Sequence, residues 1–100
     1  MKDYTVRFSK SAKEDMQVLF DYIVFTCKSY KTANEYQIGL LNTINDLKKY
    51  AETFHTIKGK YSLLYGFNVR RINYKKMAII YTVHGNIILI NRIMASSLIV

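Results

Sequence analysis

Arginine and lysine are the side chains of this sequence best placed to do chemistry, because seven of them fall in a stretch that holds no acid. They are Lys58, Lys60, Arg70, Arg71, Lys75, Lys76 and Arg92, and residues 58–100 contain neither Asp nor Glu. The first 57 residues carry eight Lys or Arg against seven Asp or Glu, so the last 43 supply +7 of the net charge of +8. A field of one sign attracts a polyanion or an acidic protein surface. A solvated basic face that keeps the chain soluble is the alternative. The complete lack of interleaved carboxylates favours a binding surface.

Spacing decides which cations can act together. Arg70 and Arg71 are adjacent on an expected strand, so they point to opposite faces and only one can serve a given site. Arg92, on a neighbouring hairpin strand, can join one of them, and Lys58 and Lys60 can close over from a loop. The other of Arg70 and Arg71 is expected to lie at the sheet rim or to pair with a helix carboxylate such as Asp15 or Asp21. Lys75 and Lys76 extend the basic surface. Tyr61 and Tyr65 are the tyrosines best placed to stack on bases, whereas Tyr81, in an apolar run, reads as core. His55, just before the Lys58-Gly59-Lys60 loop, is the one plausible imidazole acid or base; His84 reads as turn chemistry. No Cys–His cluster suggests zinc, and no glycine-rich phosphate loop or nucleophile elbow occurs. Neither a metal nor another cofactor is implied.

These side chains need elements to position them. At 100 residues, half of them apolar, the chain fits one domain spanning 1–100. The absence of proline leaves helices and central strands unbroken. Tyr4–Phe8 alternates as a short strand. Ser9 or Ser11 then opens a helix, with Ser11 and Glu14 as a capping box; its apolar stripe runs Ala12, Met16, Leu19, Phe20, Ile23, Cys27. The lone thiol of Cys27 is expected as a small core residue. Thr32 with Glu35 makes a second capping box, and a second stripe runs from Ala33 to Ala51. Gly39 within it suggests a close helix–helix crossing.

Residues 52–66 lack a period and read as a loop. Strands are expected over Phe67–Tyr74, Met77–Val83 and Ile87–Ile93, with Gly85-Asn86 as a hairpin turn. Met77–Val83 is apolar on both faces, like a central strand covered on each side. The fold class is α+β: a short N-terminal strand, a two-helix hairpin packed on one face of the sheet, then an antiparallel three-stranded meander. The polar opening Met1–Ser9 does not read as a signal peptide, and apolar runs are shorter than a membrane span. A cytoplasmic protein with no membrane partner is expected.

This order of elements, with these residues, resembles the RelE/ParE superfamily of toxins from type II toxin–antitoxin systems. The first helix carries Ala12-Lys13-Glu14-Asp15-Met16 and Phe20-Asp21-Tyr22-Ile23, and the second carries Ala33 to Tyr36 and Ile44 to Leu47. The sheet half is nearest the family pattern, in Arg70-Arg71-Ile72-Asn73, Met77–Val83 and Ile90-Asn91-Arg92-Ile93-Met94. The tail Ala95-Ser96-Ser97-Leu98-Ile99-Val100 departs from it, lacking the basic tail with His, Arg or Tyr found in many relatives.

The resemblance implies a growth-inhibiting toxin neutralised by a cognate acidic antitoxin. One implied mode is metal-independent cleavage of messenger RNA on the ribosome. In that mode Arg70, Arg92, Lys58 and Lys60 offset charge on the phosphate, and His55 supplies acid–base chemistry. Arg70, which best matches the family's strand arginine by its spacing to Tyr81, Arg71, Arg92, Lys75, Lys76, Tyr61 and Tyr65 would bind the nucleic acid. The other implied mode is inhibition of DNA gyrase by protein contact, which needs no acid–base set and is favoured by the uncharged tail. A third reading is a catalytically inactive family member kept as a protein- or nucleic-acid-binding module. No small-molecule cofactor enters any of them.

Overall fold

The computed structural model describes residues 3–54, 56–57, 60–66 and 68–98 of the chain. In chain order it forms β1 (Thr5–Phe8), α1 (Lys10–Cys27), α2 (Tyr30–Tyr50), α3 (Lys60–Tyr65), β2 (Arg70–Tyr74), β3 (Met77–His84) and β4 (Ile87–Ala95), ending in a 3-10 turn at Ser96–Leu98. The expected α+β order is present. β2, β3 and β4 form the antiparallel meander, and β1 joins it as a fourth strand, parallel to β4, in the order β1-β4-β3-β2.

The helix starts lie upstream of the expected capping boxes. Ser9, extended at the end of β1, caps α1 by accepting the Ala12 amide at 3.0 Å. Its own amide and hydroxyl donate to the carbonyls of Ile90 and Asn91 on β4, so one residue ends a strand, starts a helix and ties both to the sheet. Ser11 therefore lies inside α1. Ser29, also extended, caps α2 through the Thr32 amide, which places Thr32 inside α2.

Both apolar stripes face the sheet. Ala12 from α1 and Leu40, Ile44, Leu47 and Ala51 from or beside α2 pack against Ile72, Ile79, Tyr81, Ile88, Ile90 and Ile93. Cys27 is a correction: it is exposed at the last residue of α1, where the stripe runs past the sheet. Gly39 makes a close approach, but to the sheet rather than to α1. A Cβ there would fall on the Tyr74 hydroxyl at the end of β2.

The stretch expected as a loop, 52–66, contains α3. Successive strand side chains alternate between faces, so Ile80 points away from Ile79 and Tyr81, opposite the long helices. There it is buried by Tyr61 of α3 and Val69, with Ile57, Tyr65 and Met94 around them. β3 is thus covered on both faces, as its apolar sequence requires. β2 begins at Arg70 rather than further upstream; Phe67 lies outside the described residues.

Candidate functional site

Register fixes where the arginines go. Arg70 pairs with Tyr81, and Tyr81 with Ile90, in one row across the sheet. Tyr81 and Ile90 belong to the core under the helices, so Arg70 points to that side, at the edge strand where α2 ends. Its guanidinium donates to the carbonyls of Glu52 (2.9 Å) and Phe54 (2.7 Å). These are carbonyls just past the C-terminus of α2, where a cation also meets the negative end of the helix dipole. Tyr81 does similar work beneath it. Fully buried, it donates to the Ala51 carbonyl at 2.7 Å, and burial pushes its phenol up to about 12, with Arg70 opposing.

The next row holds Arg71, Ile80 and Arg92. Arg71 and Arg92 therefore share the face opposite the long helices, but β3 stands between them, a separation of about 10 Å across two strand spacings. Arg71 donates to the Asn73 side chain at 3.1 Å and meets no carboxylate among the described residues. Arg92 lies beside a β-bulge in β4, where Ile80 pairs with Arg92 and Tyr81 with Ile90, leaving Asn91 extra. β1 pairs only with Ile87–Ile90, so β4 has a bare edge beyond that point. Asp15 of α1 fills it. The carboxylate accepts Arg92 Nε at 2.7 Å, Arg92 Nη2 at 3.1 Å and the Ile93 amide at 2.9 Å. Asp15 holds the Arg92 guanidinium above its usual range; burial opposes this, and the Tyr65 hydroxyl of α3 adds to it.

The structure thus separates the cations that the sequence grouped. Arg70 is held at the end of α2, and Arg92 is in an ion pair with Asp15. Lys75 and Lys76 form the β2–β3 turn, at the opposite end of β2 from Arg70. Lys75 is left-handed (φ 53°) and lies over the rings of Tyr36 and Tyr74 at 5.3 and 5.5 Å. Lys60 opens α3, while His55 and Lys58 lie outside the described residues. Tyr61 is buried and donates to the Met94 sulfur, with Tyr65 stacked beside it at 6.5 Å. The helix carboxylate expected beside Arg70 or Arg71 goes to Arg92 instead, because the bare edge of β4 brings an unpaired strand amide to Asp15 of α1.

Two concave apolar features lie on the helix side. A groove of about 450 Å³ runs between β1 and α2, lined by Tyr4, Val6, Phe8, Leu41, Ile44 and Lys48 among others. A second, of about 400 Å³, lies between α1 and the sheet beside Asp15 and Tyr22. Among the described residues no group of His, Cys, Asp and Glu could hold a metal ion, and no helix is long and apolar enough to cross a membrane.

Residues 6–97 match the family model of the ParE toxin of type II toxin–antitoxin systems, parDE. The chain belongs to this ParE toxin family. The fold of this ParE-family chain is similar to a solved structure of the chromosomal ParDE toxin–antitoxin system from P. aeruginosa. That match has a TM-score of 0.76 at 16% identity and covers 93% of this chain and 96% of that one. The toxin–antitoxin complex RelBE2 from Mycobacterium tuberculosis matches with a TM-score of 0.57 at 17% identity, covering 93% and 98% of the two chains. A conserved hypothetical protein from Helicobacter pylori matches at 0.52 and 20% identity, covering 94% and 96%. No curated protein sequence matches significantly. The family resemblance is thereby borne out: the chain is a toxin of the type II toxin–antitoxin class.

Proposed function

We propose that this ParE-family toxin arrests growth by protein contact with DNA gyrase, in the cytoplasm, and that an acidic antitoxin holds it inactive. The engagement of Arg70 and Arg92 supports this reading most. RNA cleavage would need cations facing the scissile phosphate and an acid for the leaving oxygen. Arg70 instead holds the Glu52 and Phe54 carbonyls just past α2, and Arg92 is chelated by Asp15. Freeing Arg70 would give up its two bonds to exposed carbonyls, and freeing Arg92 would leave Asp15 with the Ile93 amide, a net loss of about 1 kcal/mol per bond. Binding a protein surface requires none of this chemistry, and a +7 half attracts an acidic one.

The test is a supercoiling assay with the purified chain, run beside an assay of message integrity in arrested cells. Gyrase is expected to be inhibited while messages stay whole. Unchanged supercoiling with cut messages would reverse the reading and return Arg70, Arg71, Arg92, Lys58, Lys60 and His55 to candidate roles on RNA. Arg70→Ala separates the two further. It is expected to lower thermal stability by several degrees through loss of the bonds to the segment after α2, whereas a purely catalytic arginine could be removed without that change.

A further inference from the structure

The α3 helix presents two leucines to water while the rest of it is clamped down. Leu63 is 88% and Leu64 66% exposed. Behind them, Tyr61 is buried against Ile80 and Val69 and bonds the Met94 sulfur, and Tyr65 stacks on Tyr61 and reaches Arg92. Adjacent exposed leucines on one short helix are an unfavourable way to meet water, and a convex apolar pair of this kind marks a contact surface. The tyrosine clamp also holds the pair in place in the free protein, which lowers the ordering cost of binding.

Two observations identify the occupant. The first is charge. α3 stands within the half of the sequence that has no carboxylate, and it covers the sheet face that carries Arg71. The partner surface should therefore be an apolar recess in an acidic setting. The second is shape. A flexible chain that orders on binding suits a concave groove, and such grooves lie on the other side of the sheet, between β1 and α2 and beside α1. A convex knob suits a pocket in a partner that is already folded. We infer that Leu63 and Leu64 are the apolar anchor through which this toxin seats on an acidic pocket of its folded protein target, leaving the antitoxin to the helix side. This rests on the reading that the toxin acts by protein contact.

The experiment compares L63S/L64S with L63M/L64M and with Val18→Ser, which removes an exposed apolar side chain from α1 on the helix side. Each full-length chain is induced in bacteria, scored for growth arrest, melted, and tested for co-purification with the product of the adjacent open reading frame, the candidate for the proposed antitoxin. L63S/L64S is expected to need about tenfold more toxin for the same arrest, with an unchanged melt and undiminished co-purification. L63M/L64M and Val18→Ser should arrest growth like the parent. Wild-type arrest by L63S/L64S overturns the inference, and so does loss of antitoxin binding in step with loss of arrest. Should L63S/L64S melt lower, Leu64→Arg alone, at an exposed position, decides: arrest at parental potency overturns the inference. If the parent leaves supercoiling untouched but arrest still depends on Leu63 and Leu64, the gyrase reading fails and the anchor stands.

Discussion

Asp15 acts at one carboxylate in two ways: it caps the strand amide that β1 leaves unpaired, and it neutralises the cation beside it. Arg92 is about a third exposed, so their pairing should couple by about 1 kcal/mol rather than the several of a fully buried pair. Asp15→Asn, Arg92→Met and the double variant, measured by denaturant unfolding, should give two single losses whose sum exceeds the loss of the double variant by that amount. Strictly additive losses would mean that the ion pair contributes nothing beyond the Ile93 amide bond. At this scale the sequence was half legible. That Arg70 and Arg71 must diverge follows from strand alternation, and Tyr81 as core follows from its apolar neighbours. Which arginine meets Asp15 depended on where β1 stops alongside β4, and no local pattern near Arg92 encodes that.

Among the elements, α2 and β2 meet where Gly39 lies under Tyr74. Replacing Gly39 with alanine should gain roughly 1 kcal/mol of helix propensity. It must also displace a tyrosine ring held edge-on by Tyr36 at 5.1 Å and topped by Lys75. Overpacking costs typically 1–3 kcal/mol, so Gly39→Ala should lower the thermal midpoint. In a Tyr74→Ala background the same change should become neutral or stabilising. A stabilising effect in the parent would show that the ring moves freely. The close approach itself was legible from a glycine in the middle of a helical stripe; its partner was not, because helix and strand both offer apolar faces. α3 was missed for a different reason. Six residues give under two turns, too few for a period to emerge, and Tyr61, Leu63, Leu64 and Tyr65 divide between faces only once the sheet is beneath them. The adjacent leucines in an otherwise basic stretch were the signal available.

For the whole molecule, the segregation of charge should govern encounter with acidic partners. Association with the antitoxin should slow on the order of tenfold between about 0.05 and 0.5 M salt, with dissociation changing less, as stopped-flow mixing can measure. A salt-independent on-rate would remove the steering role of residues 58–100. The sequence by itself determined the order of the two long helices and the strands, the meander, the apolar stripes and the one-signed field, because each is local: period, turn residues and formal charge do not depend on what folds against them. Only the tertiary structure decided that β1 lies parallel to β4, that Arg70 serves the end of α2, that Arg92 belongs to Asp15, and that α3 turns two leucines outward. Those outcomes depend on sheet order and register, which bring residues tens of positions apart into contact, and a one-residue shift in register would have exchanged the faces on which they act.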